Sequence, residues 1–210
     1  MLFVSQHPLV RDKVTELRTA QTTPARFRGL VRELALLLGY EATRDFPLED
    51  VTVSTPLSDA PGHRLPSTIG LIPILRAGLG MVDGLLELMP RAEVWHLGLY
   101  RDEATLKPVE YYNRLPTGRI PADHNIELCL VLDPMLATGG SAIAAIDVLK
   151  RWTTLRIKYL GLIAAPEGVA ALETAHPDVD IHVAALDSHL NEHGYIVPGL
   201  GDAGDRQFGT

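Results

Sequence analysis

The chain has 210 residues, 46% of them hydrophobic and 21% charged, with a formal net charge of -7 and a pI near 5.6. That length suits one domain, residues 1–210, able to bury roughly 70% of its unfolded surface without staples. The acidic balance argues against a general nucleic-acid or membrane-surface binder. The single cysteine, Cys129, allows no internal disulfide, and with no signal peptide or long apolar span visible the cytoplasm is the expected compartment.

The start reads as helical. Pro8 to Ala20 carries Leu9, Val14 and Leu17 on one side. Pro24 opens a second helix with Phe27, Leu30, Val31, Leu34, Leu37 and Leu38 at helical spacing, which Gly39 is expected to end. This all-helical segment, residues 1–45, precedes any alternation of strands and helices, and suits either a hood over a sheet or a dimer surface. Val51 to Ser54 reads as a short strand, and the Pro-, Gly- and Ser-rich stretch from Thr55 to Ser67 as a loop.

Thr68 to Leu75 is an apolar run suited to a buried parallel strand. It leads into Arg76-Ala77-Gly78-Leu79-Gly80-Met81 and a helix through Leu88. Arg76 places a planar fork, matched to bidentate phosphate binding, at a strand-to-helix turn. Ala92 to Leu99 is a further strand. The polar residues from Tyr100 to Pro116 then break the rhythm, with Pro108, Tyr111 and Tyr112 among them, as expected of a β-arm over residues 100–118.

The next junction organises the chain. Leu128 to Leu132 is an apolar strand pattern, in which Cys129 reads as a small buried hydrophobe. Asp133-Pro134 stops it, and Met135-Leu136-Ala137-Thr138-Gly139-Gly140-Ser141 leads into a helix to about Trp152. Strand, glycine-bearing turn and helix aim backbone N–H groups and a helix dipole at one spot, an anion site. Thr138 and Ser141 add hydroxyls, and Ser141 is a candidate N-cap. Asp133, at the ligand-binding end of the strand, suits the hydroxyls of a sugar whose phosphate sits on the turn. The junction lacks the Gly-Lys-Ser/Thr of a Walker loop and the Gly-x-Gly-x-x-Gly of a dinucleotide site.

A strand from Ile157 to Ala165, a helix from Pro166 to Ala175 and a strand from Ile181 to Leu186 follow, so a parallel sheet with right-handed crossovers is expected. The glycine-dense stretch from Gly194 to Thr210, within a carboxyl-terminal segment of residues 187–210, holds Tyr195, Ile196, Val197, Leu200 and Phe208, too apolar for a solvated tail. An ordered loop there would offer main-chain groups to a flat heterocycle, such as a pyrimidine base with carbonyl acceptors and a ring N–H donor. Asn191 and His193 read as structural.

The segment from Pro73 to Met81, the Asp133-to-Ser141 junction and the end from Gly194 to Thr210 together resemble uracil phosphoribosyltransferase, of the type I phosphoribosyltransferase superfamily. The Asp-Pro before the loop departs from the paired acids of most of that superfamily and is similar to the uracil branch. The resemblance implies an α/β fold, a central parallel sheet flanked by helices with a β-arm and an N-terminal helical hood. It implies pyrimidine salvage: uracil and 5-phosphoribosyl 1-pyrophosphate (PRPP) giving uridine 5'-monophosphate (UMP) and diphosphate. Carried over by position, Arg76, Arg101 and Asp133 are catalytic. Arg76, Arg101, Asp133, Pro134, Met135, Leu136, Ala137, Thr138, Gly139, Gly140, Ser141 and Asp202 bind PRPP. Ile196, Gly201, Asp202 and Ala203 meet uracil. Arg101 stands on a flap that closes over the substrate, and a cis or strained peptide is expected near Arg76-Ala77. Mg²⁺ is the implied cofactor, held through PRPP and water with no direct protein ligand. A homodimer or larger assembly and a GTP effector are implied partners; nucleic acid and membrane are not. A phosphoribosyltransferase for another base and a non-catalytic nucleotide-sensing regulator on the same fold remain as alternatives.

Overall fold

The computed structural model describes residues 1–101, 108–116, 126–153 and 155–210. In chain order the elements are β1 (Leu2–Val4), α1 (Pro8–Arg18), α2 (Pro24–Ala42), β2 (Glu49–Ser54), β3 (Asp59–Arg64), β4 (Thr68–Leu75), α3 (Leu79–Leu88), β5 (Glu93–Val94), β6 (Leu97–Arg101), β7 (Pro108–Asn113), β8 (Ile126–Leu132), β9 (Met135–Leu136), α4 (Gly140–Trp152), β10 (Arg156–Ala164), α5 (Pro166–Ala175), β11 (Asp180–Leu186), β12 (His189–Leu190), β13 (Ile196–Val197) and α6 (Ala203–Phe208).

The main sheet runs β1-β11-β10-β8-β4-β6-β7. Its pairings are parallel except at β6–β7, which is antiparallel. Strand parity sorts the core. Leu128, Leu130 and Leu132 of β8 pack with Phe27, Leu30, Leu34 and Leu85 of the helices on one face. Cys129 and Val131 pack with Ala145, Ile146, Leu149 and Leu172 on the other. Because successive side chains point to opposite faces, an unbroken apolar run signals a strand covered on both sides.

The chain visits β4 and then β6 on one side, before returning to β8 and stepping through β10 to β11 on the other. The connections after β4 and β8 therefore diverge at the carboxyl ends of neighbouring strands, which is where open α/β sheets bind ligands.

Several expectations are corrected. The start is not all helical: β1 precedes α1 and extends the sheet beside β11, with Leu2 opposite Ile181 and Val4 opposite Val183. Gly39 does not end α2, which continues to Ala42; it lies buried inside the helix, where any Cβ would come within 2.3 Å of the Leu85 side chain. The Thr55–Ser67 stretch is not wholly loop. Its centre is β3, paired antiparallel with β2 in a separate ribbon, where Thr52 faces Pro61. Proline is tolerated because an edge strand need not donate on its outer side. The glycine-dense end contains the short helix α6, capped by Asp202, whose side chain accepts a hydrogen bond from the Asp205 N–H at 2.9 Å. The strand expected from Ala92 to Leu99 is split into β5 and β6.

Candidate active site

The turn after β8 is built against β10. The Asp133 N–H donates to Leu160 O at 3.2 Å, and Pro134 O accepts from the N–H groups of Leu162 and Ile163 at 3.0 and 3.1 Å. Met135 and Leu136 form β9, in register with Ile163 and Ala164. The Tyr159 hydroxyl, inside the core, donates to Asp133 O at 2.9 Å. The turn then reverses at Gly139, whose φ of +82° belongs to the left-handed region that favours glycine. Gly139, not Ser141, is the N-cap of α4, with no side chain capping it. The first-turn N–H groups of α4 thus lack intrahelical acceptors and face the turn, with the positive end of the helix dipole behind them. Thr138 is exposed and Gly140 and Ser141 are half-buried at this opening.

Gly168, at the start of α5, is a support that sequence reasoning missed. A Cβ there would lie 2.3 Å from Ala137 O and 2.7 Å from Leu136 O, so the turn rests directly on the α5 backbone.

The Arg76 turn lies against the same strand end. A Cβ on Gly78 would meet Leu132 O at 2.2 Å, so only glycine allows this approach. The cis peptide falls at Leu75–Arg76, one bond before the expected position. The Arg76 side chain is 63% exposed, with Nη2 3.7 Å from Asp205 Oδ1. The guanidinium therefore reaches the first turn of α6 while remaining open to a ligand.

The carboxyl-terminal segment completes the cleft. Gly199 and Gly201 have φ of +64° and +82°. Ile196 and Ala203 are buried, and Gly201 and Asp202 are exposed. A Cβ on Gly204 would lie 3.2 Å from Asp202 Oδ1 and 4.0 Å from Arg76 Nη2, which puts these two functional groups on one small patch. Gln207, fully buried, donates from Nε2 to Ala77 O and to Ala203 O, both at 3.0 Å. It ties the arginine turn to α6. Asn191 has a local role: its Oδ1 accepts from the N–H groups of His193 and Tyr195 at 3.0 and 2.9 Å.

Asp133 responds to this setting. Burial pushes its carboxyl up to about 7, the Met135 N–H opposes this, and the nearby Asp202 charge adds to it. Asp133 follows Leu132, whose carbonyl the Arg76 turn packs against, and Arg76 shares a patch with Asp202. Arg76, Asp133 and Asp202 are therefore brought together. Arg101 is described by its backbone alone, at the carboxyl end of β6. Since β6 is parallel to β4, that is the same end of the sheet as Arg76. The remaining arm positions 102–107 and 117–118 lie outside the described residues.

The arrangement offers an anion turn at 137–141, a carboxylate beside it, an exposed guanidinium at the end of the neighbouring strand, and a backbone-rich segment closing the third side. Such a set grips a phosphorylated sugar while leaving a flat partner to main-chain recognition. Among the described residues, no group of three or more His, Cys, Asp or Glu is placed to hold a metal ion, and no helix is long and apolar enough to cross a membrane.

Comparison with known proteins agrees over the whole chain. The family model described as uracil phosphoribosyltransferase matches residues 4–210. A uracil phosphoribosyltransferase of Roseiflexus sp. (strain RS-1) is 65% identical over 209 residues, covering 100% of this chain and 98% of the relative. One from Geobacillus kaustophilus is 58% identical over 210 residues, with 100% and 98% covered. A solved structure of a protein from Aquifex aeolicus superposes with a TM-score of 0.90 at 39% identity, covering 99% of this chain and 98% of its own. A hypoxanthine phosphoribosyltransferase from Staphylococcus aureus, at 10% identity and a TM-score of 0.50, shares the fold alone. With an unbroken match from Val4 to Thr210 and relatives of the same length at well over half identity, the chain belongs to the uracil phosphoribosyltransferase family.

Proposed function

We infer that this protein transfers the 5-phosphoribosyl group of PRPP to uracil, forming UMP and releasing diphosphate. The reaction forms a bond from the anomeric carbon to N1 of uracil and breaks the bond to diphosphate, which leaves with the bonding pair, and the N1 proton passes to solvent. The observation that carries the reading is the meeting of Arg76, Asp133 and Asp202 at one cleft in a chain that matches the family throughout.

Positive charge builds on the ribose as diphosphate leaves, so no covalent nucleophile is required. Catalysis rests on holding the two reactants in line and stabilising the departing anion. The 137–141 turn takes the 5-phosphate, Asp133 the ribose hydroxyls, and Arg76 with Arg101 the diphosphate. Each charge-assisted bond contributes about 1.5–3 kcal/mol. Ile196, Gly201 and Ala203 present the base-reading surface, with Asp202 facing PRPP. Mg²⁺ would be held through PRPP oxygens and water, with Asp133 and Asp202 among the carboxylates of the cleft, and would neutralise diphosphate charge.

The same reading places the enzyme in the cytoplasm as a homo-oligomer open to GTP activation. Exposed Val53 and Leu57 on the β2–β3 ribbon support a protein contact. Light scattering and assays with added GTP test these two points.

The decisive assay follows radiolabelled uracil with PRPP and Mg²⁺. Labelled UMP is expected, EDTA abolishes it, and cytosine, hypoxanthine and orotate compete poorly. Incorporation of hypoxanthine or orotate instead would establish another base. Nucleotide binding without any diphosphate release would establish a regulator.

A further inference from the structure

We propose that Arg18 and Asp187 are positioning residues that lock the base-reading segment to the first helix of the chain. Asp187 stands one residue past β11, with its side chain 3% exposed. Its Oδ2 accepts from the Gly199 N–H at 2.9 Å. Arg18, the last residue of α1, donates from Nη1 to Asp187 Oδ2 and to Gly199 O, both at 2.8 Å, and from Nη2 to Asp187 Oδ1. One ion pair therefore holds both polar groups of the Gly199 residue.

Gly199 is where the segment folds back on itself. Its φ is +64°, and a Cβ would lie 2.1 Å from Ile196 O. Fixing it fixes Ile196 on one side and Gly201 on the other. A second guanidinium repeats the theme: Arg206 of α6 donates to Leu17 O at 2.9 Å, Leu200 O at 2.8 Å and Thr19 O at 2.6 Å. Both arginines join the carboxyl end of α1 to the same loop. A forked, charge-assisted contact specifies geometry more tightly than a point charge does. It faces the 196–203 segment, so loosening it would shift the base more than the phosphates.

This assignment rests on the base site proposed above, and the test separates the two. Steady-state constants are measured for Asp187→Asn, Arg18→Lys and Ile196→Ala, at a temperature where circular dichroism shows each folded. Misplacing a bound reactant by about an ångström costs up to about a hundredfold. Asp187→Asn is therefore expected to raise the KM for uracil about 10- to 100-fold and to leave the KM for PRPP within about threefold. Arg18→Lys, which keeps the charge but loses the fork, falls between it and the parent; its partly exposed position keeps the proposal testable if the aspartate variant does not fold. An unchanged KM for uracil in the folded clamp variants, beside a raised one in Ile196→Ala, overturns the clamp alone. Unchanged uracil constants in all three overturn both the clamp and the base site. Equal losses toward uracil and PRPP overturn the clamp in favour of a general structural role.

Discussion

Asp133→Asn is expected to make the ligand-free protein more stable while removing activity. Unfolded, the carboxyl ionises near 3.8; folded, burial and Asp202 hold its proton to about 7. The unfolded chain binds fewer protons between those values. This group's contribution is therefore fully present below about pH 4 and is lost as pH climbs through about 7. A carboxyl carried that far loses ~4 kcal/mol in its ionised form. The side chain is half-buried rather than sealed, and solvent reduces the figure to about 1–3 kcal/mol. Asparagine keeps an oxygen for the Met135 N–H, bonded at 3.4 Å, and leaves the Tyr159 bond to the backbone untouched. At pH 8 a gain of about 2 kcal/mol would raise Tm by about 4–8 °C for a chain of this size. Thermal melts of parent and variant at pH 5 and pH 8, without ligand, give the comparison. An advantage of the same size at both pH values, or a variant less stable at pH 8, would refute the reasoning.

Other outcomes are expected from the same geometry. Arg76→Ala should cost less than about 0.5 kcal/mol of stability, since the side chain is largely exposed, while kcat/KM for PRPP falls about a hundredfold; melts and kinetics measure both. Arg101→Ala should mainly lower turnover, and an unchanged kcat would remove Arg101 from the mechanism. Gly168→Ala forces a Cβ to within 2.3 Å of Ala137 O, so the anion turn must move. The KM for PRPP should rise while that for uracil holds, as a two-substrate kinetic matrix would show. His182 is buried, with no partner at Nε2 among the described residues, and burial followed by the Lys158 charge depresses it to about 4. The unfolded chain binds more protons between about 4 and 6.5, so stability is lost as pH falls through that window. His182→Leu should blunt this loss in acid melts.

The sequence was most informative where one element buries two faces. Leu128 to Leu132 and Thr68 to Leu75 announce parallel strands because both sides must be apolar, and the interrupting Asp133 and Arg76 then mark the ligand end. Short edge elements left weaker traces. Leu2–Val4 is three residues long, less than any periodicity can register. The helix α6 hides among glycines, though Asp202 three residues before Asp205 is an N-cap signal. Gly139 took the cap expected of Ser141 because its left-handed backbone ends the turn without a side chain. The Arg18–Asp187 pair joins positions 169 apart. Nothing local in the chain marks it, since each residue alone reads as an ordinary surface charge. Gly168 is similar: its need for space comes wholly from the turn packed on it.

The bonds of Arg206 to Leu17 and Thr19 span 189 and 187 residues, and β1 pairs with β11 across nearly the same interval. A growing polypeptide can lay down the 137–141 turn and its α5 support before synthesis ends, but the corner that reads the heterocycle, and the arginine turn that Gln207 fastens to it, need the latest residues. Such distant closure is paid for in search time, so the 137–141 turn that takes the 5-phosphate should mature sooner during refolding than the corner that chooses a base.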